Sequence, residues 1–337
     1  MLARMQRNVP LAPLTTLGIG GPAKYFVEVQ SVDEVRQAVD WAASKGEPLL
    51  ILAGGSNVLI ADEGFRGLVV HLNLRGITVE TDGTVKVAAA EPWDEVVAMA
   101  VARRWAGIEC LSGIPGSTGA TPIQNVGAYG QDVSETIVSV EVLHRSNRRV
   151  TSLTNADCEF AYRTSVFKNA AKDRYVVLSV TFRLNPNGPP AVRYPELQRS
   201  VGQAADLQQV RDAVITIRRG KGMVIDPADP DTHSDGSFFM NPILSHADYE
   251  NFPKKDAPHF PADERVKLSA AWLIENAGFH KGFVHGKVGI STKHTLAIIN
   301  RGGGTAREVR ELAAMIQERV REEFGVELQP EPNFIGF

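Results

Sequence analysis

Residues 113–130 (GIPGSTGATPIQNVGAYG) limit the possible folds of this chain more than any other segment, since eighteen residues pass without a charged side chain. The segment contains five glycines and two prolines and follows neither the helical nor the strand period. Loops of this length in compact domains are mostly functional. Its N–H groups and the hydroxyls of Ser117, Thr118 and Thr121 suit a pyrophosphate and a flat ring packed against backbone. The alternative is a glycine-rich crossover at a tight corner.

A second glycine segment, AGGSNVLI at 53–60, directly follows the apolar run LLILA. It is neither a dinucleotide-binding fingerprint nor a Walker loop, because the glycine spacing differs and no lysine follows. Backbone N–H groups of Gly-Gly-Ser-Asn can approach an anion closely, whereas the simpler interpretation is a tight turn between two strands. Together with 113–130, this segment favours a ligand-binding site.

The first third of the chain alternates strand and helix patterns. A strand at 23–29 is followed by a capping box from Ser31 to Glu34, a helix that closes at Gly46, and apolar strands at 49–53 and 68–72. This order predicts a β-α-β unit. The later patterns predict strands at 84–90, 139–145, 175–184 and 294–300, helices at 92–107, 205–219, 264–277 and 305–325, and a Pro-rich loop at 184–200.

Composition excludes several classes of protein. Thirty-six basic and 39 acidic residues give a net charge of −3, which argues against a nucleic-acid-binding surface. Two cysteines, Cys110 and Cys158, are too few for a disulfide framework or a CxxC metal site, and the eight histidines form no metal-binding motif. Since we find no signal peptide and no apolar stretch of about 18 residues, we expect no membrane span and a cytoplasmic protein.

Six segments with distinctive sequences follow one another along nearly the whole chain. They are GIGGPA (18–23), AGGSN (53–57), the 113–130 segment, AYRTSVFK (161–168), GSFFMNP (236–242) and PEPNFIG (330–336). Together they resemble the UDP-N-acetylenolpyruvoylglucosamine reductases, which are flavoenzymes of bacterial peptidoglycan precursor synthesis. The first three alone would indicate only the broader group with a vanillyl-alcohol-oxidase type of FAD-binding fold.

The resemblance implies an α+β protein with a vanillyl-alcohol-oxidase (PCMH) type FAD-binding fold of two lobes and a third α+β domain for the substrate. The expected boundaries are 1–70 with 326–337 for the first lobe, 71–225 for the second, and 226–325 for the substrate domain. It further implies the longer subtype, in which a tyrosine lies on a mobile loop above the substrate's diphosphate. The sequence does not fix the oligomeric state, and we expect a monomer.

The resemblance also implies the activity. The family reduces UDP-N-acetylglucosamine enolpyruvate to UDP-N-acetylmuramate, with NADPH as co-substrate and FAD as hydride carrier. Hydride reaches C3 of the enolpyruvyl group, negative charge develops at C2 and in the carboxylate, and C2 is then protonated. Such a site needs a group that stabilises the enolate and a positioned proton donor.

Three catalytic positions carry over from the family motifs. Arg163 matches the guanidinium that grips the substrate carboxylate, Glu331 a second carboxylate-polarising group, and Ser237 the proton donor to C2. Without the resemblance, Arg163 would be taken for a surface ion-pair residue, Ser237 for a turn or cap residue, and Glu331 for a solvated carboxylate.

The binding positions carry over in two groups. Neither glycine segment contains histidine or cysteine, which favours a non-covalent FAD. The resemblance assigns to FAD Gly54, Gly55, Ser56, Asn57, Pro115, Gly116, Ser117, Thr118, Gly119, Thr121, Asn125, Gly127 and Ala128, and to the substrate Tyr162, Tyr194, Lys221, Asn241 and His294. A shift in alignment could replace Lys221 by Arg219, and both Arg218 and Arg219 could instead be solvated charges at a helix end.

Two other functions compete with the reductase. One is an oxidase of the same FAD fold, which gives no reason for the Ser237 and Glu331 motifs. The other is a non-catalytic nucleotide-binding regulator, against which the complete set of arginine, serine and glutamate argues.

Overall fold

The computed structural model describes residues 2–80, 82–202 and 206–337, and it divides into two compact units. The three-domain division expected from the sequence stays a prediction. Unit 1 comprises Met1–Val9, Ala23–Gly55 and Arg66–Val224, and unit 2 comprises Pro10–Pro22, Ser56–Phe65 and Ile225–Phe337.

Helices and strands mix throughout the described residues, which agrees with the predicted α+β class. The α-helices are α1 (Val32–Lys45), α2 (Trp93–Ala102), α3 (Pro195–Val201), α4 (Leu207–Gly220), α5 (His246–Asn251), α6 (Ala270–Asn276) and α7 (Ala306–Phe324). The strands are β1 (Gln6–Pro10), β2 (Pro22–Val29), β3 (Leu49–Leu52), β4 (Val58–Ile60), β5 (Phe65–Leu72), β6 (Ile77–Val79), β7 (Thr84–Ala88), β8 (Trp105–Ala106), β9 (Gly127–Ala128), β10 (Gln131–Asp132), β11 (Ile137–His144), β12 (Val150–Thr154), β13 (Tyr175–Arg183), β14 (Asn185–Pro186), β15 (Ile243–Ser245), β16 (His259–Ala262), β17 (Arg265–Leu268), β18 (Val284–His285), β19 (Val288–Ile290), β20 (Ile298–Asn300) and β21 (Asn333–Ile335).

Unit 1 contains the predicted β-α-β arrangement. Its four-stranded sheet has the order β1-β2-β5-β3, and β3 runs parallel to β5. Helix α1 begins where the Ser31 hydroxyl accepts the Glu34 N–H, and it ends at Gly46, whose φ of 64° is left-handed.

A second sheet of unit 1 is antiparallel, with the order β12-β11-β13-β7-β6. Helix α2 buries Trp93 against Phe182 of β13, with ring centroids 5.7 Å apart. These side chains belong to one continuous core that also contains the inward faces of β2, β5 and α1. Residues 89–93, which connect the end of β7 to the start of α2, form backbone hydrogen bonds with residues 116–119.

Unit 2 is built around α7, whose buried side chains share a core with Phe238, Phe239 and Leu59. Two three-stranded sheets, β15-β17-β16 and β18-β19-β20, complete it, together with a parallel pair in which β21 lies beside β4. That pair brings the end of the chain next to the segment that follows AGGSN.

Four predicted elements differ from the structure. The strand expected over 294–300 is reduced to β20, because the chain turns where the Ala297 N–H donates to the His294 carbonyl at 3.1 Å. The helix expected to reach Gly107 ends at Ala102, because Arg104 adopts a positive φ of 58° and the chain turns into β8. The helix expected over 264–277 is strand β17 followed by α6, which begins at its N-cap Ser269. The loop expected over 184–200 contains α3, which has a proline in its first turn.

Both cysteines are free and buried, and burial raises the pKa of each thiol, Cys110 and Cys158, to about 12. Within the part of the chain that the structure describes, no helix is sufficiently long and apolar to traverse a bilayer. Over the same residues, no group of three His, Cys, Asp or Glu side chains could hold a metal ion.

The N-terminal cap of α7 provides a direct test of what stabilises unit 2. Thr305 accepts the Glu308 N–H at 3.1 Å, while Glu308 accepts the Thr305 N–H at 2.8 Å. We expect Thr305→Ala to lower the free energy of unfolding by about 1 kcal/mol, because one N-terminal donor of the helix loses its partner. Urea unfolding measures this difference. Thr305→Ser, which keeps the hydroxyl, should lie near the wild type, and equal losses in both variants would contradict the capping role.

Candidate active site

The two glycine segments of the sequence meet at Gly54. A Cβ built there would lie 2.6 Å from the Gly116 Cα and 3.1 Å from the Ser117 nitrogen. Backbone therefore packs directly on backbone, and no side chain larger than hydrogen fits. The sequence suggested a shared role for these segments, and the structure brings Gly54 and Gly116 into contact.

Residues 116–119 are held by backbone hydrogen bonds to residues 89–93, which connect the end of β7 to the start of α2. The Thr118 N–H donates to the Glu91 carbonyl at 2.9 Å, the Gly119 N–H donates to Ala89 at 2.8 Å, and the Trp93 N–H donates to Gly116 at 3.0 Å. These backbone bonds replace the ladder of a regular element and hold an irregular loop rigidly.

Several of the predicted cofactor residues brace the loop itself. The Thr121 hydroxyl donates to the Thr118 carbonyl at 2.8 Å, and the Asn125 amide donates to the Ala161 carbonyl at 3.1 Å. Ser117 differs, since its hydroxyl is buried and has no hydrogen-bond partner of normal geometry within residues 2–80, 82–202 and 206–337. A buried hydroxyl of this kind is what a bound phosphate or ring heteroatom would satisfy.

Arg163 lies against the end of the same loop. Its Nη2 donates to the Gly127 carbonyl at 2.6 Å and its Nη1 donates to the Asn125 carbonyl at 3.4 Å. The backbone of Arg163 has a positive φ of 54°, and the Tyr162 ring lies 5.4 Å from the guanidinium. Strained backbone of this kind persists where surrounding contacts fix it, as in active sites.

Tyr194 and Lys221 are brought together in unit 1. The Tyr194 ring meets Tyr129 edge to face at 5.7 Å, and the Lys221 ammonium lies 5.9 Å from the Tyr129 ring and 2.7 Å from Glu196. Burial raises the pKa of Tyr129 to about 12, so its hydroxyl stays protonated. Sequence reasoning missed Tyr129, although it stands in the quoted 113–130 motif.

The two arginines at the end of α4 have different environments. Arg219 is exposed, as a solvated helix-end charge would be. The interpretation of Arg218 as a solvated charge is wrong, because its Nε is shielded from water and its Nη2 donates to the Met223 carbonyl at 2.7 Å. Burial lowers the pKa of Arg218 from its usual value.

Ser237 and Glu331 are joined through backbone in unit 2. The Glu331 N–H donates to the carbonyl of Phe238, the residue next to Ser237, at 2.8 Å. The Met240 N–H donates to Gln329 at 3.0 Å, so the two segments form a short ladder. Ser237 itself is half-buried beside the fully buried Phe238. The structure thus brings together two residues that lie 94 positions apart in the sequence.

Asn241 and His294 have local structural contacts. The Asn241 side-chain oxygen accepts the Ala270 N–H at 2.9 Å, at the start of α6. The His294 N–H donates to the Ser291 hydroxyl at 3.2 Å within a turn. These bonds hold both residues in place locally. The substrate contacts expected for Asn241 and His294 stay predictions.

Asp235, two residues before Ser237, is buried, and neither carboxylate oxygen has a hydrogen bond of normal geometry within the described residues. Burial raises the pKa of Asp235 well above its usual value, although the Val58 N–H and the Thr16 hydroxyl oppose the shift. The carboxyl is therefore favoured in its neutral form. Sequence reasoning did not single out this residue, and a lone aspartate in a glycine-rich turn gives no signal of burial.

Comparison with known proteins decides the family. The UDP-N-acetylenolpyruvoylglucosamine reductase C-terminal domain matches residues 227–335, and an FAD binding domain matches residues 23–152. The UDP-N-acetylenolpyruvoylglucosamine reductase of Thermobifida fusca (strain YX) is 50% identical over 100% of this chain and 99% of its own length. That of Salinispora arenicola (strain CNS-205) is 52% identical over 97% of this chain and 94% of its own length.

The chain belongs to the UDP-N-acetylenolpyruvoylglucosamine reductase family. A crystal structure of the reductase from Thermus caldophilus agrees in fold, with a TM-score of 0.70 at 25% identity over 98% of this chain and 99% of that chain. The predicted family, the FAD-binding fold, the cofactor FAD and the oxidoreductase class are confirmed.

The residues of this family member fit FAD on two structural observations. The contact of Gly54 with Gly116 leaves only backbone at this point of the cradle, and the Ser117 hydroxyl is buried without a protein partner in the described chain. A backbone-lined cradle with an unused hydroxyl is suited to a pyrophosphate and a flat heterocycle.

We expect Gly54→Ala to reduce the FAD content of the purified enzyme severalfold, because the added methyl group would push the Gly116 backbone out of place. Absorbance of the flavin per protein measures the content. Gly220→Ala is the matched control, since a Cβ there meets nothing within 4 Å. Wild-type FAD content in Gly54→Ala would contradict the cradle.

Asp235 predicts a pH dependence of stability. Its folded-state pKa lies above the unfolded value of about 3.9. The contribution of the Asp235 carboxyl to the free energy of unfolding is therefore fully present below the unfolded-state pKa. It is lost as pH rises through the folded-state pKa. We expect Asp235→Asn to be more stable than the wild type at pH 7, with the gain vanishing towards pH 4.

The measurement for Asp235 is urea unfolding at a series of pH values. Asp231→Asn is the control of opposite sign. Burial alone would raise the pKa of Asp231, but its bonds from the Thr292 hydroxyl and N–H hold that pKa below its usual value. Asp231→Asn should therefore lose stability at neutral pH. A pH-independent effect of Asp235→Asn would show that its carboxyl is ionised in the folded protein.

Proposed function

We propose that this protein uses NADPH to reduce the enolpyruvyl double bond of UDP-N-acetylglucosamine enolpyruvate, giving UDP-N-acetylmuramate for peptidoglycan precursor synthesis in the cytoplasm. Its named relatives at about half identity extend over essentially the whole chain. The structural observation that carries the proposal is the backbone ladder that joins the Ser237 segment to Glu331.

The reaction defines what the protein must supply. FAD, held by residues of the two glycine segments at 53–60 and 113–130, would supply to C3 of the enolpyruvyl group the hydride taken from NADPH. As the C–H bond forms at C3, the π electrons move to C2 and into the adjacent carboxylate. A proton must then reach C2, and the growing negative charge needs cationic or hydrogen-bonding partners.

We assign the carboxylate contact to Arg163. A planar guanidinium presents its donors in a fixed fork that matches a carboxylate. The bonds to the Gly127 and Asn125 carbonyls orient this plane before substrate arrives, which lowers the reorganisation needed in the transition state. Tyr162, on the face of the guanidinium, is assigned to the same part of the substrate.

We assign the proton to the Ser237 hydroxyl and a second carboxylate contact to Glu331. A serine hydroxyl is a weak acid, so it donates only where its position and neighbours favour transfer. The ladder of Phe238 with Glu331 fixes the Ser237 backbone, and Gly236 before it has a positive φ of 75°. Ser237 thus stands at a defined point of a sharp turn.

The remaining assignments concern substrate holding. Tyr194 and Lys221 are suited to the diphosphate, because the Lys221 ammonium and the Tyr194 ring both lie close to the Tyr129 ring, at 5.9 and 5.7 Å. Asn241 and His294 are assigned polar contacts to the same substrate, and the enzyme is proposed to act as a monomer.

The activity is tested by mixing the purified FAD enzyme with NADPH and UDP-N-acetylglucosamine enolpyruvate. We expect NADPH oxidation that depends on the enolpyruvyl substrate. An oxidase of the same fold would instead consume oxygen, and a nucleotide-binding regulator would bind without turnover. Either of those outcomes would contradict the proposed reductase activity.

Ser237→Ala separates proton transfer from hydride supply. We expect turnover to fall by about 10²–10⁴-fold, because the positioned acid is missing, while reduction of the bound FAD by NADPH stays at the wild-type rate. Rapid-mixing absorbance of the flavin measures the two halves separately. Ser245→Ala, which removes a cap of α5 in the same unit, is the control. Equal loss in both halves would show that Ser237 is not the proton donor.

A further inference from the structure

The side chain of Asn57 contacts the segment that carries Glu331. Its Nδ2 donates to the backbone carbonyl of Glu331 itself at 3.3 Å. The backbone carbonyl of Asn57 accepts the Asn333 N–H at 3.0 Å, and the Asn333 side-chain amide donates to the same oxygen at 3.3 Å. Asn57 is thus bound to the chain on both sides of Pro332.

These bonds fix the Glu331 peptide from two directions. Its N–H is held by the Phe238 carbonyl, next to Ser237, and its C=O is held by the Asn57 amide. When both peptide groups around a Cα are bonded, the direction of its Cβ is set. The position of the Glu331 carboxyl relative to Ser237 therefore depends on Asn57.

We propose that Asn57 is a positioning residue for the reaction, which acts through Glu331 rather than through the bound cofactor. This inference rests on the role proposed above for Glu331. The resemblance groups Asn57 with the cofactor residues, whereas its side-chain amide bonds to the C-terminal segment.

The surrounding structure limits what loss of this amide can disturb. Directly after Asn57, β4 pairs in parallel with β21 in the register Val58 to Asn333. The Ala61 N–H also donates to the Ile335 carbonyl at 2.9 Å. These backbone bonds remain when the side chain is cut, so the C-terminal segment stays attached while the Glu331 peptide gains freedom.

The experiment compares Asn57→Ala and Asn57→Asp with the wild-type holoenzyme. Aspartate keeps the shape of asparagine but cannot donate to the Glu331 carbonyl at neutral pH. We expect both variants to keep their FAD content and the rate at which NADPH reduces the bound FAD. Reoxidation of the reduced enzyme by the enolpyruvyl substrate should slow by about 10–100-fold, as a misplacement near 1 Å does elsewhere.

The decisive measurement is a double-mutant cycle with Glu331→Gln. If Asn57 acts through Glu331, Asn57→Ala/Glu331→Gln reoxidises at the rate of Glu331→Gln alone. Multiplicative losses would show independent action and overturn the inference. Loss of FAD, or an equal slowing of reduction by NADPH, would assign Asn57 to the cofactor and also overturn it.

The same data separate this inference from the proposed function. If Glu331→Gln reoxidises at the wild-type rate, the role of Glu331 fails and the inference fails with it. If Glu331→Gln is slow while Asn57→Ala is not, only the inference fails. Asn333→Ala is the matched control, because the backbone N–H of Asn333 still satisfies the Asn57 carbonyl. It should stay within about twofold of the wild type, as for a substitution that leaves no buried group unpaired.

Discussion

A short set of backbone hydrogen bonds places the C-terminal residues of this chain among residues from two distant parts of the sequence. Strand β21 pairs with β4, and residues 329–331 bond to residues 238–240. Such long-range backbone contacts are costly in chain entropy to form, and the buried core of Phe238, Phe239 and Leu59 supplies apolar burial beside them. The proposed chemistry of Ser237 and Glu331 depends on this junction, because its backbone bonds bring together two residues that lie far apart in the sequence.

The proposed flavin cradle in unit 1 uses backbone in a similar way. Gly54 lies against Gly116 with no room for a methyl group, and residues 116–119 are held by backbone bonds to residues 89–93. The hydroxyls of the loop serve mainly to brace it. An irregular loop that satisfies its own polar groups can be rigid without belonging to a helix or a sheet, and rigidity is what a cofactor site requires.

The carboxyl groups of Asp94 in unit 1 and Asp235 in unit 2 have different environments. Burial alone would raise the pKa of Asp94, but the paired Arg211 guanidinium and the Gly113 N–H hold it below its usual value, so this carboxylate stays charged. The groups that oppose the shift at Asp235, the Val58 N–H and the Thr16 hydroxyl, are uncharged, and burial favours the neutral form of its carboxyl. The near-zero net charge of the chain reveals neither the ion pair of Asp94 nor the burial of Asp235, because composition counts charges without locating them.

The sequence by itself determined the elements with strong local signals and the family. The capping boxes at Ser31 and Thr305, the β-α-β order and the six ordered motifs follow from short-range physics or from residues read directly off the chain. The tertiary structure alone decided where α2 ends, that β17 precedes α6, that the Arg218 Nε is shielded from water, that Asp235 is buried, and that Asn57 bonds to Glu331. Burial and long-range bonds depend on which segments pack together, and local propensity carries no information about packing partners hundreds of residues away.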